Sequence, residues 1–273
     1  TSGRPMPPHE ARVNCLMLVT WPQRREMIQQ AIVSFVNQDY QHATLTIVND
    51  GACCQLSEAF RATNRDGIVV DVPAGTSIGE KRNAGARAVV SDYIASFDDD
   101  DFCLPSRLTR QLAAIGSNVW LSASRKFISL HTLENIVGFE MGRCYGAGMI
   151  SRRVFDEVPW PDQQYGEDHA QFKAVQQHPV FGSLTMDAED LLYVHRRHDT
   201  NASVALRKDL WQGVMPLPLG GAEALAGAAL VGKLLAQPRA GYLEDAVVIR
   251  PHTDTFLRAV EQRRRDADTM LRS

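Results

Sequence analysis

Nothing in this sequence is long and apolar enough to span a bilayer. The nearest approach, Gly220 to Ala236, is rich in Ala and Gly but broken by Glu223 and Lys233, and it reads as a helix with a wet face. Residues Thr1 to Pro8 lack the apolar stretch of a secretory leader, so 1–12 reads as a disordered lead-in. An excess of one charge is also missing. The 29 Lys and Arg against 32 Asp and Glu leave a net charge of -3, which gives no electrostatic case for nucleic acid as the main partner, although a local basic patch stays open. The five cysteines (Cys15, Cys53, Cys54, Cys103, Cys144) form no C-x-x-C pair and are odd in number, as expected of a reduced, cytoplasmic protein. There is no internal repeat and no low-complexity tract.

What is present is an ordinary globular composition. Of 273 residues, 44% are hydrophobic and 22% charged, enough for one large α/β domain or two small ones. One stretch organises the rest. Tyr93-Ile94-Ala95-Ser96-Phe97 has the composition of a buried strand and runs into Asp98-Asp99-Asp100-Asp101. Carboxylates this close repel, by about 1 kcal/mol per pair at ~4 Å even in water, and a cation relieves that repulsion. Hard oxygen ligands suit Mg2+ or Mn2+. In an extended backbone Asp98 and Asp100 would face one way, Asp99 and Asp101 the other. A solvated acidic turn is the plain alternative.

Upstream, Val13 to Thr20 reads as a strand and Arg24 to Asn37 as a helix, with Met27, Ile28, Ala31, Ile32, Phe35 and Val36 at helical spacing. Leu45 to Val48 is a strand ending at Asn49-Asp50-Gly51; Gln55 to Ala62 reads as a short helix, Gly67 to Val72 as a strand, and Ser77 to Val89 as a helix. This alternation predicts a parallel sheet wound with helices. Its polar strand ends, Thr20, Asn49-Asp50 and Asp98 to Asp101, would then meet where ligands of open sheets bind. Asp50 suits a base or ribose contact, and equally a cap on the turn at Gly51. Lys81 and Arg82 at a helix start suit phosphates, or a solvated helix face.

After a helix over Pro105 to Ile115, strands are expected at Val119 to Ile128 and Ile136 to Met141, and the alternation ends. Tyr165 to Gln177 reads as a helix whose first turn carries Glu167 and Asp168, each of which could be merely a cap or a dipole partner. Leu191 to His195 is strand-like and leads to His198, a possible metal ligand or a structural imidazole. Ala222 to Ala236 and Thr255 to Leu271 read as helices. The second contains Arg263-Arg264-Arg265, which on its own reads as a solvated face.

Taken in order, these residues resemble a family. Arg24, Ser34-Phe35, Asn37 to Tyr40 and Ile47-Val48-Asn49-Asp50-Gly51 are similar to the opening of family 2 glycosyltransferases. So are Ile78 to Asn83, Phe97 to Asp101 with Pro105 and Arg107-Leu108, Gly148 with Arg152-Arg153, Gly166-Glu167-Asp168, and Arg197 to Asn201. The resemblance covers Val13 to Ser203. It implies the GT-A fold, an α/β domain with a mixed central sheet, here followed by C-terminal helices. The expected division is a nucleotide-sugar half over 13–115, an acceptor half over 116–205 and a helical extension over 206–273.

It further implies transfer of a sugar, with inversion, from a nucleotide-sugar (usually a UDP-sugar) to a hydroxyl. Asp50 would contact the uracil, Arg82 the base or diphosphate, and Asp98 the ribose. Asp100 would bind Mn2+ or Mg2+, with Asp99 able to replace either aspartate and His198 completing the metal site. Asp168 would be the general base, with Glu167 beside it. Thr20, Trp21 and Arg24 fall on the nucleotide side. Two positions depart from the pattern: Pro22 stands where an aromatic is usual, with Trp21 before it, and Asn49 replaces the first aspartate of a pair. A nucleotidyltransferase is a second reading, although Thr20-Trp21-Pro22-Gln23-Arg24-Arg25 lacks its glycine-rich loop. A non-catalytic sugar-nucleotide or metal-binding module is a third.

Overall fold

The structure, a computed structural model, describes residues 10–20, 24–50, 54–115, 120–131, 136–182, 185–188, 192–198, 214–216 and 247–249. Most of the expected lead-in, Trp21, Pro22, Asp199 to Asn201, the triple arginine and both expected C-terminal helices lie outside these residues.

The first half alternates as its sequence predicts. Strand β1 (Val13–Val19) is followed by helix α1 (Arg25–Val36), β2 (Ala43–Asn49), β3 (Cys54–Leu56), α2 (Glu58–Arg61), β4 (Asp66–Asp71), α3 (Ile78–Ala88) and β5 (Tyr93–Ser96). Strands β4, β2, β1 and β5 lie side by side and parallel. β1 and β2 are buried almost throughout, because helices cover both faces of such a sheet, and their unbroken apolar runs follow from that. α1 buries Ile28, Ala31, Ile32 and Phe35 on one face, and Phe35 meets Phe97 edge-on with ring centroids 6.0 Å apart. The helix expected over Gln55 to Ala62 is corrected: the segment pairs as β3 before it turns, and only Glu58–Arg61 is helical behind the Ser57 cap.

The second half is built differently. β6 (Phe102–Cys103) and α4 (Arg107–Ile115) lead into two long strands, β7 (Leu121–His131) and β8 (Ile136–Ser151). β8 runs antiparallel to both β5 and β7, so it joins the two halves into one mixed sheet. Next come α5 (Arg152–Glu157), α6 (Glu167–Gln177), β9 (Thr185–Ala188) and β10 (Tyr193–Arg197). β10 lies parallel to β7 and antiparallel to β6. Two short strands of the extension are described. β11 (Val214–Pro216) pairs with β8, and β12 (Val247–Ile249) pairs with β3. Among the described residues, ten strands share the main sheet.

Candidate active site

Three strand ends and two helix starts converge at one edge of the sheet. At the ends of β1 and β2, Lys81 reaches over from α3. Its Nζ lies 2.6 Å from Asp50 Oδ2 and donates to Thr20 Oγ1 at 2.8 Å. Lys81 and Asp50 are both fully buried, so Asp50 answers an ammonium. A buried carboxylate is tolerable only when paired in this way. Asn49 Nδ2 donates to Asp71 Oδ1 at 2.6 Å on the neighbouring strand.

The four aspartates do not alternate faces as an extended chain would. The backbone turns immediately after β5, with Asp101 N donating to Asp98 O, and the run sorts into an inner and an outer pair. Asp99 and Asp100 share Arg24, whose Nη1 lies 3.0 Å from Asp99 Oδ1 and 3.0 Å from Asp100 Oδ2. Asp98 and Asp101 share the Tyr193 hydroxyl. Asp101 Oδ1 also accepts from the backbone N–H of Arg196 at 2.6 Å. Asp100 Oδ2 lies 3.0 Å from His198 Nε2, so the histidine is brought to the aspartate that the resemblance assigns to metal. The run is therefore not a solvated acidic turn: Asp99, Asp100 and Asp101 are buried, and Asp98 keeps 30% of its side chain open.

Arg82 ties this loop to the start of α6. Its Nε donates to Glu167 Oε1 at 2.9 Å and its Nη1 to Ser96 Oγ at 3.2 Å, while Nη2 lies 3.7 Å from Asp98 Oδ1. Lys81 and Arg82 are thus both buried, and neither belongs to a solvated helix face. Ser77 caps α3 by accepting from Glu80 N. The helix then seats against residues 160–163, where Gly79 N donates to Gln163 O at 3.1 Å. A Cβ on Gly79 would lie 1.8 Å from the Pro161 carbonyl oxygen, so only glycine permits that approach. Gly166 opens α6 in the left-handed region at φ 73, and the chain then presents Glu167 inward and Asp168 half-exposed. Asp168 Oδ1 accepts from His169 N at 2.6 Å. Asp168 also borders a cavity, shared with Tyr145, Trp160 and Phe172, of about 20 Å³. That is room for one water, so an acceptor sugar would have to reach Asp168 from its solvent side.

The electrostatics reflect this crowding. Burial, reinforced by Asp100 and by more distant carboxylates, pushes the Asp98 carboxyl up to about 6 against the pull of Arg82. Burial likewise carries Asp99 to about 7, with Asp100 adding and Arg24 opposing. Burial also works against ionisation of Asp100, but the His198 hydrogen bond and the charges of Arg24, His198 and His195 outweigh it and hold that carboxyl at about 2. Asp100 is therefore the member of the run kept as an anion. Glu167 is raised by burial and by Asp168, with Arg82 opposing.

Among the described residues no group of three or more His, Cys, Asp or Glu side chains could hold a metal. The pair Asp100 and His198 nonetheless fits one. An ionised oxygen and an imidazole nitrogen meet at 3.0 Å, and Mg2+ or Mn2+ sites routinely take one or two protein ligands and complete their shell with diphosphate and water. The residues not foreseen from sequence are Asp101 in a role of its own, Tyr193, Arg196 and Ser96. The available signal was position: Tyr193 and Arg196 lie on the strand that His198 directly follows.

Residues 18–136 match the profile of glycosyl transferase family 2. Over those residues the chain is similar to family 2 glycosyl transferases. Among solved structures it resembles glucosyl-3-phosphoglycerate synthase from Mycobacterium tuberculosis, in complex with Mn2+, UDP and glucosyl-3-phosphoglycerate. The TM-score is 0.52 at 14% identity, over 75% of this chain and 82% of that one. The mannosyltransferase PcManGT from Pyrobaculum calidifontis, in complex with GDP-Man and Mn2+, matches with TM-score 0.52 at 11% identity, over 96% and 84%. S. aureus TarS 1-349 in complex with UDP matches with TM-score 0.50 at 14% identity, over 68% of this chain, which spans 60% of the length of that one. At such identities the likeness is one of fold, the GT-A arrangement. No curated protein sequence matches the chain.

Proposed function

We propose that the chain is a metal-dependent inverting glycosyltransferase that moves a sugar from a nucleotide-sugar to an acceptor hydroxyl. The observation that carries the reading is the Arg82 bridge. It joins the acidic loop after β5 to the Glu167-Asp168 helix start, and supports a reading in which the loop serves the donor diphosphate and the half-exposed Asp168 the acceptor. Residues 13–115 would hold the donor and 116–205 the acceptor.

Asp50, Asp98 and the end of β1 would frame the nucleoside, with Thr20 and Arg24 on that side. Asp168 would take the proton of the acceptor hydroxyl. The hydroxyl oxygen then bonds to the anomeric carbon as the bond to the diphosphate breaks on the opposite face, inverting the centre. Positioning such a base contributes about 10²–10⁴-fold. Glu167 contributes by anchoring Arg82 rather than by moving a proton. Asp100 and His198 would hold Mn2+ or Mg2+, which when bound supplies a Lewis acid to offset charge on the leaving diphosphate.

The donor base is the finer question. UDP accompanies two of the three neighbours and GDP-Man the third, and we favour a UDP-sugar, the usual donor of the family that the sequence resembles. Among the described residues no helix is long and apolar enough to cross a membrane, and Cys15, Cys103 and Cys144 are free thiols. A reducing compartment suits these thiols, and the cytoplasm is the location we propose. Calorimetry with UDP or GDP and Mn2+, followed by hydrolysis assays on a panel of sugar nucleotides, tests the reading. Metal-dependent diphosphate binding with donor hydrolysis is expected; binding without turnover of any donor would instead favour the non-catalytic module.

A further inference from the structure

We propose that Asp101 is a positioning residue that sets Asp100 against His198, and that Tyr193 and the Arg196 backbone are the lock it works through. The proposal rests on the reading of Asp100 and His198 as a metal-holding pair. These two residues are 98 positions apart and come from segments joined by the two-residue pairing of β6 with β10. Asp100 sits in a turn after β5, and His198 follows the last residue of β10. A side chain in a turn is held only as well as the turn is.

Asp101 supplies the missing constraint. Its Oδ1 accepts from the N–H of Arg196, two residues before His198, at 2.6 Å, and its Oδ2 accepts from the Tyr193 hydroxyl. One carboxylate therefore spans both ends of the β10 segment that delivers His198. The next two residues of the acidic loop's own chain continue the attachment, since Phe102 and Cys103 pair antiparallel with Val194 and Tyr193. Tyr193 is itself fixed: it is fully buried, and the Arg107 guanidinium lies 5.6 Å from its ring centroid. The Arg196 side chain spreads over Phe102 at 4.3 Å and donates to Gln30 Oε1 on α1 at 2.7 Å. Asp101 is 3% exposed and faces protein on both oxygens, so it is not placed to be a ligand. Groups that orient metal ligands in this way are worth about 10–100-fold in metal affinity.

The test measures Mn2+ binding, by the electron paramagnetic resonance of free Mn2+ with UDP present, for the full chain and for Asp100→Ala, Asp101→Ala, Asp101→Asn and Tyr193→Phe. Melting curves on each variant confirm that the measurement is made on folded protein. Asp101→Ala is expected to weaken Mn2+ binding by about tenfold or more. Asp101→Asn, which still offers an oxygen to the Arg196 N–H, is expected to recover most of it, and Tyr193→Phe to fall between. Loss of Mn2+ binding in Asp100→Ala with unchanged binding in folded Asp101→Ala overturns the lock and leaves the metal reading standing. Equal Mn2+ binding by the parent chain and Asp100→Ala overturns both. Should Asp101→Ala not fold, Tyr193→Phe decides alone, and binding within twofold of the parent sinks the proposal.

Discussion

The sheet has a parallel side, β4-β2-β1-β5, and a mixed side, β8-β7-β10-β6, and the two treat their polar residues differently. On the parallel side charged and polar groups find partners on neighbouring strands or on α3. Lys81 serves Asp50 and Thr20, Asn49 serves Asp71, and Thr46 donates to Asn14 at 2.6 Å. These pairs lie in the scaffold and are complete without the other side. Across the seam the partners are far apart in sequence: Arg82 and Glu167 by 85 residues, Tyr193 and Asp98 by 95, His198 and Asp100 by 98. The parallel side therefore forms a cradle held by its own pairs, and the long-range pairs come together where β8 joins the two sides.

The largest way to sharpen that division is at Asp168, which lies in the first turn of α6 on the second side. Asp168→Asn is expected to lower kcat by about 10²–10⁴-fold, while the Kd for UDP with Mn2+, read by calorimetry, stays within twofold. If turnover and nucleotide binding fell together, the carboxylate would belong to the donor site and the division would be wrong.

Arg82 stands on the seam itself. Removing it leaves buried Glu167 facing the acidic loop with no cation between them, and stranding one partner of a buried ion pair costs roughly 3–5 kcal/mol. Arg82→Ala should show that loss as a lowered urea midpoint. Arg82→Lys keeps the charge but not the planar fork that meets Glu167, Ser96 and Asp98 at once, so it should sit between. A midpoint unchanged in Arg82→Ala would mean that the two sides are held without the bridge.

A smaller effect is expected at Gly79, where α3 meets residues 160–163. The Cβ of Gly79→Ala would press on the Pro161 carbonyl, a backbone atom that cannot rotate away. Overpacking of this kind costs about 1–3 kcal/mol. Because that loop leads into Glu167 and Asp168, kcat should fall more than nucleotide affinity. A variant with full kcat would show that the loop moves freely of α6.

Legibility in the sequence follows the same division. β1, α1, β2, α3 and β5 were readable because local periodicity and strand-end polarity are written into short windows, and their partners lie next to them. Gln55 to Ala62 misled because three residues of edge strand carry no periodic signal, and their partner β12 is nearly two hundred residues away. β8 was anticipated only over 136–141, since its length is set by pairing with β5, β7 and β11 rather than by its own pattern. At the site, the aspartates, Arg82, Glu167, Asp168 and His198 were visible as residue types at strand and helix ends. Their pairings were not. Sequence alternation put Asp98 with Asp100, whereas the turn puts Asp98 with Asp101 and leaves Asp99 with Asp100. Tyr193 and Arg196 looked like ordinary strand residues because their value lies in a long-range contact.

The smallest expected effect is a pH dependence of the protein without metal, and it separates the acidic loop from the cradle. Asp98 and Asp99 titrate near 6 and 7 in the fold, against about 3.9 in an unfolded chain. Between pH 4 and 7 the folded protein therefore binds more protons than the unfolded one, so stability falls as pH rises through that window. Asp100, held near 2, acts in the opposite direction below about pH 5, where the unfolded chain binds its proton, and adds no slope above that. The melting temperature at pH 8.0 should lie below that at pH 5.5. Asp99→Asn, which mimics the protonated form beside Arg24, should flatten the difference. Mn2+ with UDP should raise the pH 8.0 value most, because a bound cation favours ionised carboxylates and offsets the repulsion that develops there. A melting temperature that rises from pH 5.5 to 8.0 without metal would mean that Arg24 and Arg82 already neutralise the loop.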